Sequence, residues 1–306
     1  MKNIVITGAT GFIGSNLVNK LLEDDNNLYL IVRKDSKNLN KLPFDSKIKL
    51  VHLSLDEMNK LSSFISVPCD IFYHLAWDGI RGETRNDKEL QESNYVNSMT
   101  ALKEAQKLNC KIFFSAGSQA EYGLYNEKIT EETECRPVTE YGKYKYKFYV
   151  DALEFCEKEN IKFKEPRFFS LYGKGDYEGT MVISIIKKML KNEDCDLTEC
   201  VQLWDFLHIR DAIEGLIKLA KCECENGAYN FGNGDSKSLK EFVGEMYRLT
   251  NSKSKLNYGK VPYPNNLIIN VNPDVTKLKT ALNWSPKITF EEGIKEIIED
   301  IKGGTI

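Results

Sequence analysis

The 306-residue chain has no basic excess: 42 Lys and Arg stand against 45 Asp and Glu, for a formal net charge of −3. A surface balanced this way does not neutralise a phosphate backbone, so nucleic acid is not an expected partner. Long apolar runs are missing too. No stretch approaches the roughly 18 apolar residues of a membrane span, and no membrane association is expected. Met1-Lys2-Asn3 leads straight into Ile4-Val5-Ile6, without the apolar segment and small-residue cleavage site of a signal peptide, so the expected location is the cytoplasm. Histidine is scarce, with His52, His74 and His208 far apart. The cysteines at 69, 110, 135, 156, 195, 200, 222 and 224 show no Cys-x-x-Cys spacing and are expected to be reduced thiols. Cys195, Cys200, Cys222 and Cys224 cluster, but not at the spacing of zinc ligands, and no metal site is expected.

What is present is a composition that can bury a core: 42% hydrophobic and 28% charged residues exclude disorder. Over the first two thirds, β-branched and aromatic runs alternate with helical patterns. Strands are expected at Lys2–Thr7, Leu28–Val32, Lys49–Leu53, Ile71–Leu75, Lys111–Ser115 and Lys162–Phe169, with helices over Ile13–Leu22, Lys88–Leu108 and Tyr141–Lys158. Such alternation predicts an α/β fold, a doubly wound parallel sheet covered by helices on both faces, with strands apolar throughout. Beyond about residue 172 the pattern loosens into Gly173, Gly175 and Gly179 loops, a helix Met181–Lys191, a strand Gln202–Ile209, a helix Ile213–Lys221 and a run Ala228–Phe231. Pro262, Pro264, Pro273 and Pro286 punctuate the remainder, around helices Leu239–Leu249 and Glu291–Ile301. The expected division is a dinucleotide-binding domain, 1–172 rejoined by 205–232, and a smaller C-terminal substrate-binding lobe, 173–204 and 233–306.

Residues 7–14 read Thr-Gly-Ala-Thr-Gly-Phe-Ile-Gly, between a strand and a helix. Gly8 allows the tight turn, Gly11 lets the backbone approach a pyrophosphate, and Gly14 permits close helix–strand packing. The helix N-terminus then favours the phosphate charge. The next strand ends at Val32. Arg33 follows where an acidic residue would hold the ribose 2′-hydroxyl of NAD, and an Arg there suits the 2′-phosphate of NADP. NADP(H) is the favoured cofactor. NAD(H) is the alternative, with Asp35 taking the ribose.

Tyr141 and Lys145 are four residues apart and share a helix face. A free phenol, with a pKa of about 10, is a poor base at neutral pH, and a neighbouring ammonium lowers that value. Beside a hydride carrier, the pair makes a tuned acid/base. Pro137 and Thr139 precede it as a helix-start signal. Upstream, after a strand, runs Ser115-Ala-Gly-Ser118-Gln-Ala-Glu-Tyr122-Gly123.

Together these strings resemble the extended branch of the short-chain dehydrogenase/reductase superfamily, the NAD-dependent epimerase/dehydratase type, and the resemblance covers nearly the whole chain. It implies a Rossmann fold and an enzyme with Ser118, Tyr141 and Lys145 as catalytic residues. Ser118 would hydrogen-bond the reacting substrate oxygen and Lys145 the cofactor ribose. The resemblance extends the cofactor contacts of Gly8, Gly11, Gly14 and Arg33 to Phe12, Ile13, Leu75, Ala76 and Asn94, besides Tyr141 and Lys145. It places Trp77, Ser170 and Trp204 with Ser118 along the substrate. His74 and Trp284 are expected to pack. It also implies a homodimer built on the helices of Asn94 and Tyr141, the second carrying an apolar stripe at Phe148, Ala152, Phe155 and Cys156.

The chain departs from the family in places. Where the 4,6-dehydratases carry Asp and Glu after the catalytic Thr, it has Gln119 and Ala120, which cannot eliminate water. Two Arg residues usually clamp the substrate pyrophosphate. Trp204 replaces the first, Tyr263–Asn270 offers no second, and Lys174 or Arg210 would have to compensate. The expected substrate is a small molecule, a nucleotide sugar, and the implied activity is that of a 4-ketoreductase: NADPH delivers hydride to the C4 ketone of a keto-deoxysugar nucleotide and Tyr141 donates the proton. Arg33 favours net reduction, because the NADP pool is kept reduced. The alternatives are a nucleotide-sugar 4-epimerase with tightly bound NAD and a non-catalytic Rossmann-fold nucleotide sensor.

Overall fold

The run Lys2-Asn-Ile-Val-Ile-Thr7 is β-branched and apolar, and it can be buried on both faces only between parallel neighbours. In a computed structural model, which describes residues 1–263 and 269–304, it is a central strand of such a sheet. The chain divides into two units. The first comprises Met1–Gly123, Glu131–Phe168 and Gly215–Tyr229, the second Leu124–Thr130, Phe169–Glu214 and Asn230–Ile306.

The main sheet is built on strands β1 (Lys2–Thr7), β2 (Asn26–Val32), β3 (Ile48–His52), β4 (Ile71–His74), β5 (Ile112–Ser115), β6 (Lys162–Phe168) and β7 (Gly227–Phe231), all in the first unit but for Asn230 and Phe231 at the end of β7. They are ordered β7-β6-β5-β4-β1-β2-β3, with the short strand Gly117–Ser118 beside β6. β1 pairs in parallel with β2 and β4, setting Thr7 opposite Ile31 and His74. The strand order reverses between β1 and β4, and in open α/β sheets the crevice at that reversal is where ligands bind. Helices α1 (Phe12–Leu21), α2 (Lys88–Lys107) and α3 (Glu140–Lys158) belong to the same unit.

The mainly parallel sheet and its helices are the Rossmann arrangement, but the strands are not apolar throughout. β3 is an edge, and Lys49, Leu50 and His52 face solvent. β6 is buried from Phe163 to Phe168 although it carries Lys164, Glu165 and Arg167, which are kept inside by partners described below. The core proper stacks Phe72, Phe113 and Phe163 across β4, β5 and β6, with ring centroids 5.1 and 6.5 Å apart. Each such fully buried Phe contributes roughly 1.5–3 kcal/mol.

Phe148, Ala152 and Cys156 join this core, fully buried, with Phe155 packed at its margin. That stripe therefore belongs to the chain's own interior and not to a dimer face: α3 needs those side chains to cover its own sheet. Among the described residues, the exposed large apolar side chains of α2 and α3 are Val96 and Val150. A homodimer through these helices has to rest on them. We expect twice the monomer mass by light scattering at micromolar concentration, reduced to the monomer by Val150→Glu; a monomeric wild type rules this dimer out.

In the second unit, helices Met181–Leu190, Leu239–Thr250 and Phe290–Lys302 enclose a core in which Phe206, Phe242 and Phe290 pack with centroids 4.7–5.4 Å apart. The expected strand Gln202–Ile209 is split into Leu203–Trp204 and Phe206–His208. Asp205 breaks it, because its buried carboxylate accepts the Asn233 and Gly234 N–H groups, each at 2.7 Å. Phe206–His208 pairs with Ser170–Tyr172, and Ile129 bridges Pro273. Residues 124–130 and 205–214 fall in the second unit, and Gly215–Tyr229 in the first.

Candidate active site

The glycine loop is shaped by sterics. Gly8 has φ +70°, and a Cβ there would lie 2.8 Å from the Ala76 nitrogen; one on Gly14 would lie 2.1 Å from the Gly8 oxygen. No larger residue can stand at either position. α1 starts after Gly11 with no side-chain cap and no acidic residue in its first turn, so its leading N–H groups are left for an anion. Phe12 and Ile13 open the helix, half-buried. Arg33 and Asp35 are exposed past the end of β2, and Ser36 approaches Thr10 of the loop with its hydroxyl 3.5 Å away. These residues fit a dinucleotide: uncapped helix N–H groups for the pyrophosphate, and an exposed guanidinium and carboxylate past the end of β2 for the ribose.

The loop after β4 is pinned by a directed chain of hydrogen bonds. Leu75 and Ala76 donate their N–H groups to the Thr7 hydroxyl at 3.2 and 3.3 Å. Thr7 lies 2.9 Å from His74 Nδ1, His74 Nε2 lies 2.9 Å from Ser98 Oγ, and Ser98 donates to the Asn94 carbonyl at 2.7 Å. Thr7 therefore donates to Nδ1, and His74 is neutral with its proton on Nε2. Burial, aided by the Lys145 charge, pushes the His74 pKa down to about 3. His74 is thus a hydrogen-bonding hub rather than packing alone. The Asn94 amide exchanges two bonds with the Asp78 backbone, at 2.8 and 3.0 Å, and so shapes this loop.

The neutral His74 makes stability depend on acidity. The unfolded side chain, with its ordinary pKa of 6.5, takes up a proton that the folded one refuses, so the contribution is complete above pH 6.5 and is lost as pH falls toward about 3. Over that window the urea midpoint is expected to fall, and His74→Gln should flatten the slope by up to about 1.4 kcal/mol per pH unit. Parallel slopes would show that His74 takes up its proton in the folded state.

Ser118, Tyr141 and Lys145 lie together in the first unit. Thr139 caps α3 by accepting the Gly142 N–H at 3.1 Å. A Cβ on Gly142 would lie 2.3 Å from the Ala120 oxygen, so glycine alone lets this first turn press against the turn after Ser118. Burial raises the Tyr141 pKa, opposed by a hydrogen bond with Ser118 and by the Arg85 charge. The Lys145 ammonium donates to the Ala116 carbonyl at 2.8 Å and sits 3.7 Å from the Trp77 ring centroid, against 5.9 Å for the Tyr141 ring. Burial brings the Lys145 pKa down to about 8, against the opposing charges of Glu121 and Glu165.

Trp77 is buried edge-on to Tyr141 at 6.3 Å, and its N–H donates to Gln91 at 2.7 Å. It supports the Tyr141–Lys145 pair. Sequence reasoning missed Arg85, whose guanidinium lies 4.8 Å from the Tyr141 ring centroid; nothing in the pattern around it marks it.

Glu121, within the run from Ser115 to Gly123, is a second such residue. Ser118 caps a turn in which Glu121 accepts the Ser118 N–H at 2.7 Å. The other Glu121 oxygen accepts Arg167 Nε at 3.0 Å, and Glu165 accepts the same nitrogen at 3.1 Å. All three side chains are buried. Burial, and next the Glu121 charge, hold the Glu165 carboxyl well above the usual carboxylate range. The backbone of Ser118 is thereby tied to an interior ionic cluster.

Ser170 and Trp204 lie in the second unit, both half-buried; Trp204 packs against Phe206 with centroids 6.4 Å apart. The two candidate pyrophosphate cations of that unit are both occupied, Lys174 by Asp300 at 2.9 Å and Arg210 by Glu296. Of the stretch Tyr263–Asn270, residues 264–268 lie outside the described residues. The clustered cysteines separate: Cys195 and Cys200 are buried in the core of the second unit, and Cys222 and Cys224 belong to the first. Among the described residues, no helix is long and apolar enough to cross a membrane.

A glycine cradle at the sheet's switch point, with a Ser–Tyr–Lys set in the same unit, defines a dinucleotide-dependent enzyme. A sequence model of the NAD dependent epimerase/dehydratase family matches residues 4–232, and the chain belongs to that family, whose enzymes are of the extended short-chain dehydrogenase/reductase type. It is 27% identical, over 97% of each chain, to CDP-abequose synthase of Salmonella muenchen. It is 26% identical, again over 97% of each, to UDP-N-acetyl-alpha-D-glucosaminuronate decarboxylase of Bacillus cytotoxicus. Its fold is that of UDP-glucose 4-epimerase from Thermotoga maritima, solved with UDP-glucose, at a TM-score of 0.89 and 21% identity over 99% of this chain and 100% of that one.

Proposed function

We propose that the protein is an NADPH-dependent reductase of a keto-deoxysugar nucleotide. The observation that carries this reading is Arg33, exposed past β2 beside the glycine loop, where a guanidinium can pair bidentately with a 2′-phosphate. The bound nicotinamide would supply the hydride. Tyr141, whose burial keeps the phenol protonated at neutral pH, would give its proton to the ketone oxygen, with Ser118 orienting that oxygen. The names of the relatives, CDP-abequose synthase among them, support the sugar-nucleotide class. NADPH oxidation measured against a panel of keto-sugar nucleotides tests the reading: stoichiometric turnover with one of them supports it, and none with any of them overturns it.

The exposed Asp35 favours a second reading, in which its carboxylate holds the ribose of NAD and the enzyme is a 4-epimerase. Cofactor retained through purification would support that reading. Arg33→Asp separates the two. It removes a charge-assisted contact and adds repulsion, so the preference is expected to move from NADP toward NAD by about tenfold or more, since each 1.4 kcal/mol is a factor of ten. A wild type that already binds NAD as tightly as NADP removes the argument from Arg33.

A further inference from the structure

Away from this site, β6 carries a second buried cation. Lys164 is fully buried, and an ammonium there needs compensation. It donates to the carbonyls of Cys224 and Glu225, and to Cys224 Sγ at 3.5 Å. Two of these acceptors are neutral carbonyls. The neighbouring Glu223 carboxylate is paired with Lys162. Of the groups that accept a hydrogen bond from Lys164, the one that can become an anion is the Cys224 thiol.

Cys222 and Cys224 occupy the short connection between the helix Ile209–Lys221 and β7, and the Cys224 N–H donates to Cys222 Sγ at 3.1 Å. The two sulfurs thus share one loop. Both are partly exposed, whereas Cys69, Cys110, Cys156, Cys195 and Cys200 are buried. Among the described residues, no third metal-binding side chain completes a site with them.

We propose that Cys224 is a peroxide-reactive thiolate and Cys222 its resolving partner. Burial works against the Cys224 anion, but hydrogen bonds with Cys222 and Tyr229 and the Lys164 charge outweigh it, so its pKa falls below the ordinary thiol value. Burial and the Cys224 charge raise that of Cys222. One sulfur is prepared to attack, and the other keeps its proton until needed. In the first step the Cys224 thiolate attacks an oxygen of hydrogen peroxide. An S–O bond forms, the O–O bond breaks, and hydroxide leaves to be protonated to water. In the second, the Cys222 sulfur attacks the Cys224 sulfenic acid. An S–S bond forms, the S–O bond breaks, and the oxygen departs as water with the Cys222 proton. The two thiols lose two electrons, which reduce one peroxide to two waters.

The test uses the whole chain treated with one equivalent of hydrogen peroxide at pH 7 and mapped by mass spectrometry. A Cys222–Cys224 disulfide reversed by dithiothreitol is expected, and in Cys222→Ser the sulfenic acid should be trapped by dimedone at Cys224. Iodoacetamide should alkylate Cys224 faster than Cys135, whose pKa burial pushes up to about 11. Lys164→Met should slow alkylation of Cys224 at pH 7 about tenfold for each pKa unit regained. If that variant fails to fold, the pH dependence of Cys224 alkylation in the wild type decides: a midpoint below the ordinary 9.0 supports the proposal, and one at or above it overturns it. Alkylation of Cys224 no faster than of Cys135 also overturns it. Dimedone labelling of the wild type with no disulfide overturns the role of Cys222.

Discussion

Tyr141→Phe is expected to lower turnover by roughly 10²-fold or more, the usual loss when a positioned acid or base is removed, with cofactor affinity little changed. The substitution deletes one hydroxyl and leaves the ring. The phenyl group can keep its edge-on packing against Trp77 at 6.3 Å and its place near the Arg85 guanidinium, so α3 and the glycine loop have no cause to move. Ser118 loses its partner but stays anchored through its backbone to Glu121. The loss should therefore appear in kcat, with the dissociation constant of the cofactor within about twofold of wild type, a difference well under the 1.4 kcal/mol of a tenfold change. Turnover near that of the wild type would remove Tyr141 from the chemistry.

The second large effect is on folding. Arg167→Met is expected to destabilise the protein by about 3–5 kcal/mol in urea unfolding, because removing one partner of a buried ionic cluster leaves the others uncompensated. Glu121 and Glu165 would face each other in the interior without the guanidinium that now bonds both. Adding Glu165→Met removes the second buried carboxyl left without its partner and should recover part of the loss. It keeps the Glu121 bond to Ser118, so activity should recover with it. A single variant within about 1 kcal/mol of wild type would assign Arg167 no net stabilising role, as is found for many ion pairs that apolar groups can replace.

The features legible in the sequence were those with a short repeat distance. Three glycines at offsets of three, between a strand and a helix, specify a turn and a helix start whatever surrounds them. Gly8 and Gly14 are indeed where a Cβ would collide with backbone. Tyr141 and Lys145, four residues apart, must share a helix face, and Thr139 caps that helix. Such features depend on helical and extended backbone geometry alone, which a stretch of ten residues already contains.

What only the tertiary structure decided depends on residues distant in sequence. Glu121 and Arg167 meet across 46 residues because Gly117 and Ser118 pair with Arg167 and Phe168, a register that no local spacing encodes. The same pairing of remote strands turned an apparent dimer stripe at Phe148 and Ala152 inward, and made His74 a hub between Thr7 and Ser98. It set Lys145 on the Trp77 ring instead of against Tyr141, and left Lys164 among the carbonyls and thiol of Cys224 and its neighbour. A buried charge is stable only where partners from several elements converge on it. That convergence is a property of the packed chain and of no segment within it.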